Sequence, residues 1–168
     1  MRILALLFAA GVVLAACATN PIPEGYTGPI AHIADTVVAG SGRSVDIFYL
    51  GKINGRMINN ALDATISANQ GQGFNMKPEV ITRDVPAQQA TFTIVGRTHY
   101  AAPILELTNK VYQVRGDVAF APLANESYVV KGVLGPTYSA VWIEDSKGSV
   151  VDKKIEVHGS AELGFMQK

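Results

Sequence analysis

Residues 126–158 read ESYVVKGVLGPTYSAVWIEDSKGSVVDKKIEVH, and their alternation decides the fold class. Three runs, 126–134, 137–145 and 149–157, are rich in Val, Ile, Tyr and Thr and repeat every two residues. A period of two is that of a half-buried strand. Gly135-Pro136 separates the first two runs; proline fixes φ and glycine tolerates positive φ, so the pair marks a turn. Asp145-Ser146-Lys147-Gly148 separates the second two, with an aspartate to initiate the turn and a glycine to leave it. Two consecutive hairpins are therefore expected. In the middle run either Trp142 or its neighbours Val141 and Ile143 face the core.

Outward from there the same period recurs. Further strands are expected over 30–39, 44–51, 55–59, 79–84, 90–98 and 110–120. Asn54-Gly55, between FYLGKI and RMI, is a two-residue hairpin signal because a type I′ turn needs positive φ at both positions. Residues 60–70, NALDATISANQ, alone depart from the pattern. They place Leu62, Thr65, Ile66 and Asn69 on one helical face, with Asn59 or Asn60 to cap the start and Gly71 to end it. Eight or nine short strands and one short helix imply an all-β fold, an antiparallel β-sandwich or a small barrel, of which the sandwich is expected. Parallel βαβ architecture is excluded, since each crossover needs its own helix. The aromatic core is expected to hold Trp142, Tyr128, Phe92, Phe48, Tyr112 and Phe120, with the Tyr128 hydroxyl reaching backbone at the sandwich edge.

The N-terminus carries an address. Residues 1–17 are MRILALLFAAGVVLAAC: one arginine, then an uncharged apolar run from Ile3 to Ala16. Fourteen residues are too few for a ~30 Å hydrocarbon core, which takes ~20 in a helix, but they fit the h-region of a signal peptide. Leu14-Ala15-Ala16-Cys17 resembles the lipobox of bacterial lipoproteins. That resemblance implies cleavage before Cys17, a diacylglyceryl thioether on its sulfur and acylation of its new amine. Lipidation would also cap the only cysteine, which otherwise stands unpaired in an oxidising compartment. Several acyl chains at ~0.8 kcal/mol per buried CH₂ hold a protein to a bilayer without a membrane-spanning helix. Ala18 is not the inner-membrane retention aspartate, so in a Gram-negative source the resemblance implies the outer membrane, facing the periplasm.

The expected organisation is a signal peptide over 1–16, lipidated Cys17 with a flexible tether to residue 29, a sandwich domain over 30–158 and a C-terminal tail over 159–168. The tether, ATNPIPEGYTGP over 18–29, would reach roughly 35 Å at ~3.1 Å per residue; Tyr26 within it either docks on the domain or sits at the headgroups. The whole chain has 168 residues, 14 basic and 14 acidic side chains, 17% charged and 48% hydrophobic residues. Removing residues 1–16 leaves 152 residues with 13 basic, Arg2 being lost, against 14 acidic. That balance excludes a general nucleic-acid binder, which needs a basic face.

A second likeness covers roughly residues 45–152. FYLGKINGR, RDVPAQQATFTIVG and NESYVVKGVLGPTYSAVWIEDSKGSVV, in that order, resemble small bacterial lipoproteins with an immunoglobulin-like or transthyretin-like sandwich. The resemblance rests on turn chemistry and core aromatics, so it implies a fold and no activity. Pro86-Ala87-Gln88-Gln89 departs from it where such domains often carry a glycine.

No catalytic pattern stands out. His32, His99 and His158 show no HxH, HExxH or HxxxH spacing, so no metal site is expected. His99, near Pro103 at the edge of a loop, is the most suggestive of the three. GxSxG is absent; Gly40-Ser41-Gly42 and Gly159-Ser160-Ala161 read as loop and tail. Glu144 and Asp145 are adjacent, so a strand points them to opposite faces. Gln70-Gly71-Gln72-Gly73-Phe74 lacks the GxGxxG and GK[ST] patterns and follows a helix, so it reads as a helix-ending loop. Lys153-Lys154 read as edge-strand charges. Cys17 is thus the one site residue expected, for lipidation; no catalytic, cofactor-binding or metal-ligating residue and no small-molecule cofactor is expected. The expected role is a non-catalytic structural or protein-interaction module of the cell envelope, with an envelope protein as partner and a binding surface on the 60–78 and 98–110 loops. The alternative is an envelope hydrolase acting on peptidoglycan or glycan, using His99 and a carboxylate.

Overall fold

The structure, a computed structural model, describes residues 20–40 and 43–168. Cys17 and the signal peptide expected over 1–16 lie outside the described residues. The hairpins expected around Gly135 and Asp145 join β8 (Ser127–Val133), β9 (Tyr138–Glu144) and β10 (Val150–His158). Asp145 Oδ1 accepts from the amides of Lys147 and Ser149, and Gly148 leaves the turn at φ 79°. The sheet continues through β1 (Ile30–Ala34) to β5 (Thr82–Pro86), in the order β10-β9-β8-β1-β5. All its pairings are antiparallel except β1 with β8.

The second sheet has the order β2-β3-β6-β7, built from β2 (Thr36–Ala39), β3 (Ser44–Ile53), β6 (Ala90–Tyr100) and β7 (Gln113–Phe120), with β4 (Arg56–Met57) folded back on β3. Asn54 and Gly55 turn between β3 and β4 at φ 48° and 78°, as the Asn-Gly signal requires. The two sheets face each other, so the all-β sandwich expected from the alternation is the observed architecture.

Two stretches differ from expectation. The single strand expected over 30–39 is two: the chain leaves the first sheet at Ala34 and enters the second at Thr36. Residues 103–108, expected as loop, form the short helix α2 (Pro103–Thr108), started by proline at its first position. The helix expected over 60–70 is α1 (Ala61–Ala68). Asn60 caps it, its Oδ1 accepting from the Asp63 amide while its Nδ2 donates to the Asp63 carboxylate. Ala61 and Thr65 are the face it buries, which leaves Ile66 41% exposed.

Between the sheets lie Ile33, Phe48, Leu50, Phe92, Ile94, Val118, Tyr128, Val130, Val141 and Ile143, all at most 4% exposed. Phe48 lies against two glycines: a Cβ at Gly96 would come within 2.9 Å of its ring, and one at Gly132 would meet it closer still. Phe120 packs partly buried on the rings of Phe92 and Tyr128. Trp142 corrects the expected aromatic list. Val141 and Ile143 take the inward positions, and Trp142 lies on the outer face beneath Lys154, its Nε1 donating to Glu144. Tyr112 is likewise only half-buried. Tyr128 behaves as expected, its hydroxyl accepting from the Leu123 amide at 3.0 Å.

The outer face of the second sheet carries a smaller core. Val45, Ile47, Tyr49 and Val95 are covered there by Ala61 and Leu62 of α1 and by Met76. Burial pushes the Tyr49 hydroxyl up to about 12.

Candidate functional site

Alternation along β6 places Arg97 and His99 on this same outer face, in step with Val95. α2 then turns the chain back so that Glu106 meets both. His99 Nδ1 lies 2.7 Å from Glu106 Oε1, and Arg97 Nη2 lies 3.8 Å from Glu106 Oε2. All three side chains are largely buried, at 15–17% exposure. Arg97 also donates through Nη1 to Gln113 Oε1 at 3.0 Å. Burial works to raise the Glu106 pKa, but the His99 hydrogen bond, the His99 and Arg97 charges and the Tyr100 amide outweigh it and hold the carboxyl below its usual range.

That balance sets the direction of the contact. An ionised carboxylate only accepts, so His99 Nδ1 carries the proton shared with Glu106. Nε2 has no hydrogen-bond partner among the described residues, and it is not a buried orphan, so it is open.

His99 lines a cleft of about 470 Å³. Tyr100, Ala101 and Pro103 form one wall; Ile66, at the end of α1, and the backbone of Gly71 and Gly73 form the other. The second wall is held by Asn69. Its Nδ2 donates to the carbonyls of Thr65 and Lys77, and its Oδ1 accepts from the Lys77 amide, all at 2.7 Å. The loop between is thereby closed at its base, and glycines 71 and 73 adopt the positive φ, 76° and 65°, that its turns need. Phe74 near the tip lies under the Arg43 guanidinium, 5.0 Å from its ring centre. The two loop regions expected to bear a binding surface, 60–78 and 98–110, thus line one cleft.

The remaining candidates do not converge on it. His32 pairs with Asp84 across β1 and β5, 2.7 Å apart and exposed. His158 stacks near Tyr138 on the edge strand β10. Among the described residues no group of three His, Cys, Asp or Glu side chains could hold a metal ion. Glu144 points outward to Lys131 and Trp142, while Asp145 belongs to the turn.

Sequence reasoning singled out His99 without naming its carboxylate. It also missed a buried ion pair. Asp35, between β1 and β2, receives Arg83 from β5 in two parallel hydrogen bonds of 2.7 and 2.5 Å, and accepts from the amides of Leu50 and Ala61. Burial raises the Asp35 carboxyl, against the pull of Arg83 and the two amides. The signal lay in the register: Ala31, Ile33 and Asp35 share one parity, so an acid stands at an inward position and requires a partner.

Comparison with protein-family models, curated proteins and solved structures finds no match.

Proposed function

We propose that the chain is a cell-envelope lipoprotein, anchored through Cys17, whose sandwich is a non-catalytic binding module with the His99 cleft as its binding site. The observation that carries this is where the cleft lies. Pro21 and Pro23 line a small hollow with Ile53, Asn54 and Phe92, at one end of β3 and β6. His99 and Tyr100 stand at the other end of β6. Seven residue steps along the strand lead from Phe92 to His99, about 23 Å at ~3.3 Å per residue. Only four residue steps, through residues 18–20, lead from Cys17 to Pro21, a reach of about 12 Å at ~3.1 Å per residue. An anchor at Cys17 would therefore hold the proline end at the bilayer and present the cleft away from it. The orientation suits an envelope protein partner or a ligand arriving from the aqueous side.

The immunoglobulin-like or transthyretin-like kinship belongs to the same proposal. It is supported by Tyr128, whose hydroxyl bonds to backbone five residues upstream in the manner of a tyrosine corner.

The anchor is tested by Cys17→Ala. Fatty-acid labelling should vanish and the protein should move from the membrane to the soluble fraction; persistence in the membrane would refute the anchor. A second reading, an envelope hydrolase acting on peptidoglycan or glycan, is favoured by the His99–Glu106 contact alone. There His99 Nε2 would take a proton from water, with Glu106 orienting the ring. The described lining offers no Ser, Thr or Cys nucleophile. Release of soluble fragments from peptidoglycan, lost in His99→Asn, would replace the binding reading by this one.

A further inference from the structure

We infer that the open end of the sandwich, between the sheets at Asp46, binds a small organic cation that gives a primary ammonium group to the Asp46 carboxylate. This site is separate from the His99 cleft and goes beyond the reading proposed for it. Its first mark is polarity where alternation calls for carbon. Along β3, Asp46 shares the inward parity of Phe48 and Leu50, and along β6 Thr98 and Tyr100 share that of Ile94. Tyr112 likewise keeps step with Val114 and Val118. At their opposite ends β3 and β6 turn Ile53, Ala90 and Phe92 into the core. Polar residues at core positions weaken a fold unless they serve a site. Here they border a space of about 360 Å³, within the ~300–1,000 Å³ of small-molecule sites.

Asp46 accepts from the Thr98 hydroxyl at 2.7 Å and from no other group among the described residues, so one carboxylate oxygen is left without a partner. Burial raises its pKa against that single bond, and among the described residues no cation pairs with it. The cation and the side-chain amide of the lining are committed. Lys110 pairs with Glu162 at 3.5 Å, and Asn109 Nδ2 donates to the Leu105 carbonyl. Lys168, nearby, donates to the Asn109 carbonyl, and the Tyr100 hydroxyl donates to that of Lys110. Ser44 is engaged as well. The Tyr112 hydroxyl both donates and accepts, so it suits a ligand of either sign. The unmatched charge is therefore that of Asp46. An ammonium group answers it with charge and N–H donors together, and the Tyr100 and Tyr112 side chains supply ring surface that attracts a cation. A carboxylate ligand would be repelled, and a neutral alcohol would leave the charge uncompensated. A metal ion would lack ligands, since among the described residues no three His, Cys, Asp or Glu side chains converge.

The test titrates the chain as expressed, in neutral detergent at neutral pH, with benzylamine, benzyl alcohol and benzoate, which share one ring and carry a positive, a neutral and a negative group. Benzylamine should bind about tenfold more tightly than benzyl alcohol, the gain of a charged over a neutral hydrogen bond. Benzoate should bind most weakly. In NMR with labelled methyl groups, bound benzylamine should contact Leu134, which lines this space and not the His99 cleft. Asp46→Asn should bind benzylamine no more tightly than benzyl alcohol. Equal binding of benzylamine and benzyl alcohol by the unaltered chain, tightest binding of benzoate, no contact with Leu134, or no binding at all would each overturn the inference. Contact with Ile66 alone would place the probe in the His99 cleft, overturning this site while supporting that one. The unaltered chain alone decides these outcomes, so they stand even if Asp46→Asn does not fold.

Discussion

Asp35 and Arg83 show what one buried residue does in this sandwich. The carboxylate accepts four hydrogen bonds, from β3, from the first turn of α1 and, twice, from Arg83 of β5, so it joins both sheets and the helix at the point where the chain changes sheet. Removing one partner leaves a buried charge uncompensated, which costs about 3–5 kcal/mol. Arg83→Met and Asp35→Asn should each lower stability in urea by that order, and Asp35→Leu/Arg83→Met should lose clearly less than the sum of the corresponding single changes. Glu106 makes a prediction of a different kind. Its folded pKa is lowered from an ordinary 4.5, so its ionised form stabilises the fold above that value, and the contribution is lost as pH falls through the lowered folded value. The urea midpoint should therefore fall as pH drops below about 4.5, and Glu106→Gln should flatten that part of the curve. At this scale the sequence was half legible. His99 stood out by its place beside a loop, but Glu106 lies on a helix that local pattern did not reveal, so the pairing waited on tertiary structure.

The elements that could be read from sequence are those whose turns have strict backbone demands. Asn54-Gly55 and Asp145–Gly148 turn where positive φ or a side-chain-accepting aspartate dictates it. α1 has its asparagine cap. The elements misread lack such local signals. IAHIADTVVA keeps an unbroken alternation while passing from one sheet to the other, and only tertiary pairing separates Ala34 from Thr36. α2 has six residues, none buried and no side-chain cap, and it is fastened chiefly by Glu106. Glycines in strands, which appear as weak positions, prove to be packing devices. A Cβ at Gly132 would collide with the Phe48 ring and stand 2.5 Å from the Ala140 carbonyl oxygen. Gly132→Ala should destabilise by ~1–3 kcal/mol or more, as the unfolding midpoint will report, whereas Gly148→Ala in the open turn should cost only the strain of its positive φ.

At the scale of the whole molecule, the sandwich has two unlike ends. One end holds Pro21 and Pro23, close in sequence to Cys17; the other holds the cleft between the α1 loop and α2. Fold class followed from strand period because alternation is written locally; the envelope address is the proposal drawn from residues 1–17. The cleft was legible only as two separate loop regions, since its walls come from residues some thirty apart and meet over the outer face of one sheet. The central claim is that a lipid at Cys17 holds the proline end at a membrane and the cleft away from it. It is tested most directly by placing a fluorophore at Gln88→Cys or at Gln70→Cys in the mature protein, Cys17 being capped, and measuring quenching by a headgroup-linked quencher in vesicles. The account predicts strong quenching at position 88 and little at position 70; equal quenching at both, or stronger quenching at 70, would contradict it.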